Sequence, residues 1–157
     1  MKRIALLTVL TLGSFLPAAL PAKAYTYTNP RYGTSASFPA EAFPRIMPPS
    51  PSGEGQGWRS DEGAEIVIYA LENQESRTPR SLIQWRRSLD KVTYQRWGRD
   101  WAVVSGFRPD GRIFYERYIF RGGLIHSVSI RYPQSERGTY DRLVGPITNS
   151  LRGSNAS

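Results

Sequence analysis

Ile113-Phe114-Tyr115-Glu116-Arg117-Tyr118-Ile119-Phe120-Arg121, then Gly122-Gly123, then Leu124-Ile125-His126-Ser127-Val128-Ser129-Ile130-Arg131: two runs rich in aromatic and β-branched residues flank a pair of glycines. That is the pattern of two antiparallel strands joined by a two-residue turn. Such a turn sets the pairing, with Arg121 opposite Leu124, Ile119 opposite His126 and Arg117 opposite Val128. Upstream, Trp101 to Phe107 reads as a third strand, and Pro109-Asp110-Gly111 as a three-residue turn with a bulge at the glycine. Arg108 then faces Arg112, and Ser105 faces Tyr115. Val92 to Trp97 adds a fourth strand across Gly98-Arg99-Asp100.

This register sorts the side chains. One face collects Trp101, Val103, Phe107, Ile113, Tyr115, Ile119, Leu124, Val128 and Ile130, a core face that a helix should cover. The other collects Ala102, Val104, Gly106, Phe114, Glu116, Tyr118, Phe120, Ile125, Ser127, Ser129 and Arg131, apolar groups around a polar centre.

Outward from the meander, Glu65 to Leu71 is almost continuously apolar and predicts a strand buried on both faces. Thr78-Pro79 starts a helix in which Leu82, Trp85 and Leu89 recur at helical spacing, with Arg86-Arg87 to the side of that stripe. Tyr32 to Phe38 alternates as a short strand ending at Pro39. Pro44 to Gly57 holds four prolines and three glycines and predicts a surface loop, mobile around Ser50 to Gln56. A last helix, Glu136 to Leu151, presents Tyr140, Leu143, Val144, Ile147 and Leu151 on one side, with a kink at Pro146. Strands, a helix, a meander and a closing helix make an α+β domain, a central antiparallel sheet with helices packed on it.

The N-terminus places that domain. Met1-Lys2-Arg3, an apolar run from Ile4 to Leu16 and Ala22-Lys23-Ala24 form the pattern of a secretory signal peptide over residues 1–24. The remaining 25–157 suit one domain, whose last few residues are expected to be disordered. Nothing after the leader approaches membrane-spanning length, so a periplasmic or secreted protein is expected. With no cysteine, the chain has no disulfide, zinc–thiolate site, cysteine nucleophile or lipid-bearing cysteine. Beyond residue 24 there are 18 basic residues against 13 acidic, and acids are interleaved along the chain. A nucleic-acid surface would need clustered charge with stacking aromatics, so no nucleic-acid partner is expected. Weak attraction to anionic surfaces is compatible with the excess, and it requires the arginines to gather on one side.

Catalytic constellations are not marked. His126 lies on the core face with Arg117 diagonal to it, whereas Glu116 lies on the opposite face, so they form no acid–base pair. The histidine reads as a hydrogen-bonded group at the edge of the core. No Gly-x-Ser-x-Gly elbow surrounds Ser105. Asp61, Glu62 and Glu65 lack a calcium-loop pattern, and Gly53-x-Gly55-x-Gly57 precedes a strand rather than a helix, unlike a phosphate loop. The expectation is therefore no catalytic residue, no metal and no cofactor.

Tyr32-Gly33-x-Ser35 leading to Phe38-Pro39, Gly57-Trp58-Arg59-Ser60 before a strand, and Trp101-x-Val103-Val104-Ser105-Gly106 together resemble the PsbP-like superfamily. Phe114-Tyr115-x-Arg117, Tyr132-Pro133 and the closing helix extend the likeness, which is nearest to the small exported bacterial members. The resemblance implies a central antiparallel sheet with packed helices. It also implies a non-catalytic accessory module, as in an extrinsic photosystem subunit, a Ran-binding factor and the periplasmic DcrB group. The function expected is thus a binding or assembly-accessory protein of the cell envelope, with a protein or envelope component as partner. Tyr118 and Phe120 would anchor it on the mixed face, and Glu116 or Arg131 would orient it. Burial of Tyr118 and Phe120 beneath the middle helix would remove that role. The alternative is a small periplasmic hydrolase acting on an envelope ester or polymer through Ser105 or carboxylates, which requires a concave pocket.

Overall fold

A computed structural model describes residues 23–155. The leader assigned to residues 1–24 lies outside these residues, apart from Lys23 and Ala24. The chain forms β1 (Ala24–Thr28), β2 (Ser35–Pro39), β3 (Arg45–Ile46), β4 (Gly55–Arg59) and β5 (Glu65–Glu72). There follow α1 (Pro79–Leu89), β6 (Lys91–Trp97), β7 (Trp101–Phe107), β8 (Ile113–Arg121), β9 (Leu124–Tyr132) and α2 (Arg137–Asn149). Seven strands make one sheet in the order β3-β4-β5-β9-β8-β7-β6, antiparallel throughout, and β1–β2 is a separate antiparallel pair.

The turn chemistry holds. Arg121 pairs with Leu124, Ile119 with His126 and Arg117 with Val128 across Gly122-Gly123, whose φ angles are 57° and 77°. Ser105 pairs with Tyr115, and the Arg108 amide donates to the Arg112 carbonyl at 2.9 Å. α2 and the β1–β2 pair cover one face, where Phe38, Phe43, Trp58, Ile66, Ile68, Val128, Ile130, Tyr140 and Ile147 make the main core. Phe107, Tyr115 and Ile119 of the expected core face pack against this core and remain half-buried. The opposite face is closed by α1, through Leu82 and Ile83 on Ala102, Val104, Phe114, Tyr118 and Ile125.

Four features differ from expectation. α1 turns Leu82, Ile83 and Arg86 inward, and leaves Trp85 and Leu89 exposed at 42% and 49%. The stripe is thus rotated by one residue, because Arg86 has buried partners on the sheet. The span 44–57 is only partly loop: its ends enter β3 and β4. Gly55 is a strand residue there, since a Cβ would meet the Ile68 carbonyl oxygen at 2.3 Å. β5 is buried at Ile66, Ile68 and Ala70, but Leu71 is exposed, because α1 packs on β6 and β7. Finally, residues 151–154 are fastened down. Arg152 exchanges backbone hydrogen bonds with Ser35 at 2.8 and 3.0 Å, and Ser154 Oγ donates to the Tyr32 carbonyl at 2.7 Å. α2 continues past Pro146.

Candidate functional site

Between α1 and the sheet lies a polar cluster built on Arg86. Its Nη1 donates to Glu116 Oε2 and, at 2.7 Å, to the Tyr118 hydroxyl. Its Nη2 and Nε donate to Asp90 Oδ2 at 2.7 and 3.1 Å, one helical turn on. The guanidinium also sits over the Phe114 ring, 4.8 Å from its centre. Glu116 Oε1 accepts from Tyr69 Oη at 2.6 Å and Ser127 Oγ at 2.7 Å. Burial pushes the Glu116 carboxyl up, but the Arg86 charge and these donors outweigh it, so its pKa falls below the ordinary range. Burial raises the Tyr69 and Tyr118 hydroxyls well above theirs. An ionised carboxylate with every near neighbour a donor is a structural lock, not a proton-transfer group.

The four residues expected to bind a partner are therefore placed differently. Tyr118 is 2% exposed and Glu116 2%, both beneath α1, while Phe120 is half-buried against the same cluster. Arg131 sits diagonal to Glu116 but pairs with Glu65 at 3.4 Å, which Arg59 and Arg112 also reach, at 2.6 and 3.3 Å. Burial raises the Glu65 pKa less than these three guanidiniums lower it. Tyr118 and Glu116 thus anchor α1 rather than a partner. The signal that reveals this is the Arg86–Asp90 spacing of four residues, a charge pair on one helix face.

Beside the cluster the surface opens. A cavity of about 270 Å³ lies between α1 and β5, walled by Leu71, Leu82, Trp85 and Ile125 and edged by Glu72 and Glu75. A second, of about 340 Å³, lies under the 47–57 segment, walled by Met47, Pro48 and Val67 and edged by Glu54. Tyr69 and Leu71 line both, so the two cavities adjoin across these side chains, and the one between α1 and β5 is the deeper groove, framed by Trp85. Its end is rigid. Asn73 Oδ1 accepts from the Arg77 amide at 2.8 Å, Asn73 Nδ2 donates to the Arg77 carbonyl at 2.9 Å, and the Arg77 guanidinium lies over the Trp85 ring at 4.7 Å. Sequence reasoning missed this groove, having placed Trp85 in the core.

His126 is fully buried on the α2 face. Its Nδ1 meets Thr34 Oγ1 at 2.7 Å, and its Nε2 meets the Ser154 carbonyl at 2.9 Å. The carbonyl accepts from Nε2–H, so neutral Nδ1 accepts from the threonine. Burial lowers its pKa, and the Ser154 carbonyl opposes that. Ser105 lies in the cross-strand row of Tyr115 and Ile130, four residues along β9 from His126, about 13 Å at the usual strand rise. The two do not form a nucleophile–base pair.

No protein-family model matches the chain, and no curated protein matches it in sequence. Among solved structures it is similar to cyanobacterial PsbP (CyanoP) from Synechocystis sp. PCC 6803. The TM-score is 0.60 over 91% of this chain and 99% of that chain, at 10% identity. At that identity the likeness is one of architecture, and this protein has a PsbP-like α+β fold.

Proposed function

We propose that this chain is an exported, non-catalytic binding or assembly-accessory protein of the cell envelope, periplasmic or secreted, that docks a protein partner in the groove between α1 and β5. The observation that carries this reading is the contrast between the groove and the chemistry beneath it. Trp85 and Leu71 stand 42% and 41% exposed on a rigid frame, while Glu116, Arg86, Asp90 and His126 are buried and bonded to other parts of the protein. Exposed aromatic and aliphatic anchors on a preorganised wall suit recognition. At the rim Glu72 and Glu75 are paired with Arg31 and Arg77, and Glu54 has no ion-pair partner among the described residues, which favours a partner segment carrying a basic side chain beside an apolar one. The PsbP-like fold supports the accessory class.

The test places a photo-crosslinking residue at Leu71, or at Arg142 on the outer side of α2, in cells producing the chain. A discrete adduct from position 71, missing from position 142 and erased by Trp85→Glu, supports the reading. Equal labelling from both positions, or no adduct from position 71, overturns it.

A further inference from the structure

The seven-stranded sheet is electrically polarised across its width. Residues 40–76, which supply β3, β4 and β5, hold seven acids against two arginines. Residues 77–99, which supply α1 and β6, hold six arginines and Lys91 against a single acid, Asp90. Strand order puts the first group at one edge of the sheet and β6 at the other. Over this stretch acids and arginines do not interleave as expected but form an acidic block followed by a basic one, and the fold sets the two at opposite edges.

Asp90 does not offset this charge at the surface, being buried against Arg86 and Arg108. Arg80, Arg87, Lys91, Arg96 and Arg99 are exposed, and their side chains make no ion pair or hydrogen bond among the described residues. Among them stand Leu89, Tyr94 and Trp97, 49%, 45% and 45% exposed. The β6–β7 register puts Trp97 beside Ala102 on the α1 side. Arg96 lies on the other side, in one row with Val103 and Arg117. Rings and guanidiniums therefore straddle the outer edge of the sheet.

We propose that this edge, the outer side of α1 together with β6, rests on an anionic lipid bilayer. Arginines meet lipid phosphates bidentately, and tryptophan and tyrosine prefer the headgroup level, where ring and polar tip are both accommodated. Charge alone would guard an edge strand against aggregation; the exposed rings do not serve that end. A folded acidic protein would be held by anchors converging on a pocket. Here Leu89, Tyr94 and Trp97 line neither of the cavities described above, and the rings point to both sides of the edge. A fluid layer of mobile anionic headgroups conforms to such a surface.

The probe is a vesicle of phosphatidylglycerol and phosphatidylcholine in equal parts, with phosphatidylcholine alone as reference, read by co-sedimentation and tryptophan emission at low salt. The processed chain should bind the anionic vesicles with a blue-shifted emission that Trp97→Ala reduces. At about fivefold per basic residue, Arg87→Gln, Arg96→Gln and Arg99→Gln together should weaken binding on the order of 100-fold. Removing the same charge at Arg45, Arg137 and Arg142 should change it by less than about threefold, since those sites face elsewhere. No binding to anionic vesicles, or equal losses in the two triple variants, overturns the proposal. Soluble polyglutamate bound as tightly as the vesicles, with Trp97→Ala without effect, overturns it in favour of an acidic polypeptide partner.

Discussion

Replacing Arg86 by methionine keeps an apolar stem under α1 but removes the guanidinium bonded to both Glu116 and Asp90. Those carboxylates are 2% and 7% exposed. Glu116 keeps the Tyr69 and Ser127 hydroxyls, and Asp90 keeps Arg108 at 3.4 Å, yet neither replaces a full charge in contact. Breaking a buried pair from one side costs about 3–5 kcal/mol. With an unfolding entropy of ~2.1 cal/mol/K per residue over roughly 130 residues, the melting temperature should fall by about 10–18 °C. The pH dependence is the sharper test. In the parent, the Glu116 pKa is held below its unfolded value, so its contribution is present above about pH 4.3 and fades as pH falls through the folded value. Without Arg86 only the Tyr69 and Ser127 hydroxyls oppose burial and that pKa rises, so the deficit should be largest near neutrality and shrink at acid pH as the carboxyl takes up a proton. Urea unfolding at neutral and acid pH measures this, with Glu116→Gln in the same background closing the cycle. The pair should couple by about 1.5–3 kcal/mol. A loss under about 1 kcal/mol, a deficit independent of pH, or additive single effects would refute the reasoning.

His126, neutral and buried with a lowered pKa, takes up a proton more readily in the unfolded chain. Stability should therefore fall as pH drops below about 6.5, and His126→Gln should flatten that slope in urea melts at pH values on either side. Gly153→Ala would put a Cβ 2.3 Å from the His126 ring, which should displace the tail at a cost of about 1–3 kcal/mol. Faster hydrogen exchange at the Arg152 amide, bonded to Ser35, reports it. Thr78→Ala removes a reciprocal cap with Ser81 and should lower stability by about 1 kcal/mol, with the loss of helicity visible by circular dichroism at the α1 end.

The meander was legible because its information is local: Gly122-Gly123 and Pro109-Asp110-Gly111 dictate register within a few residues, and alternation then assigns every face. α1 was legible in extent and not in rotation. Leu82, Trp85 and Leu89 and the observed Leu82, Ile83 and Arg86 are both acceptable helical stripes. Only Glu116, thirty residues away in sequence, makes an inward arginine favourable. The same rotation hid the groove, because an exposed Trp85 looks like core until the helix is docked. β4 was read as loop because glycines mark turns and close approach alike, and Gly55 serves the approach. The arginine-rich edge was hidden by the chain-wide mixture of charges: 40–76 is an acidic block and 77–99 a basic one, and the helix after β5 carries the chain to the far side of the sheet, which sets the two blocks apart in space.

The clasp between residues 32–35 and 151–154 bears on how the chain reaches this state. Thr34 and Ser154 meet on His126, and Ser35 pairs with Arg152, so the first strands and the last described residues complete each other across more than a hundred positions. β5 likewise waits for β9 before it has a second neighbour. Contacts of such separation demand closure of long loops before any gain in burial, which slows folding. A chain stopped at residue 145 has every strand of the sheet but lacks the clasp and α2's last turn, and Ile147 and Leu151 are missing from its main core. Completion waits for residues 152–154, and until they are made the polypeptide stays open to threading, to capture by chaperones and to proteolysis.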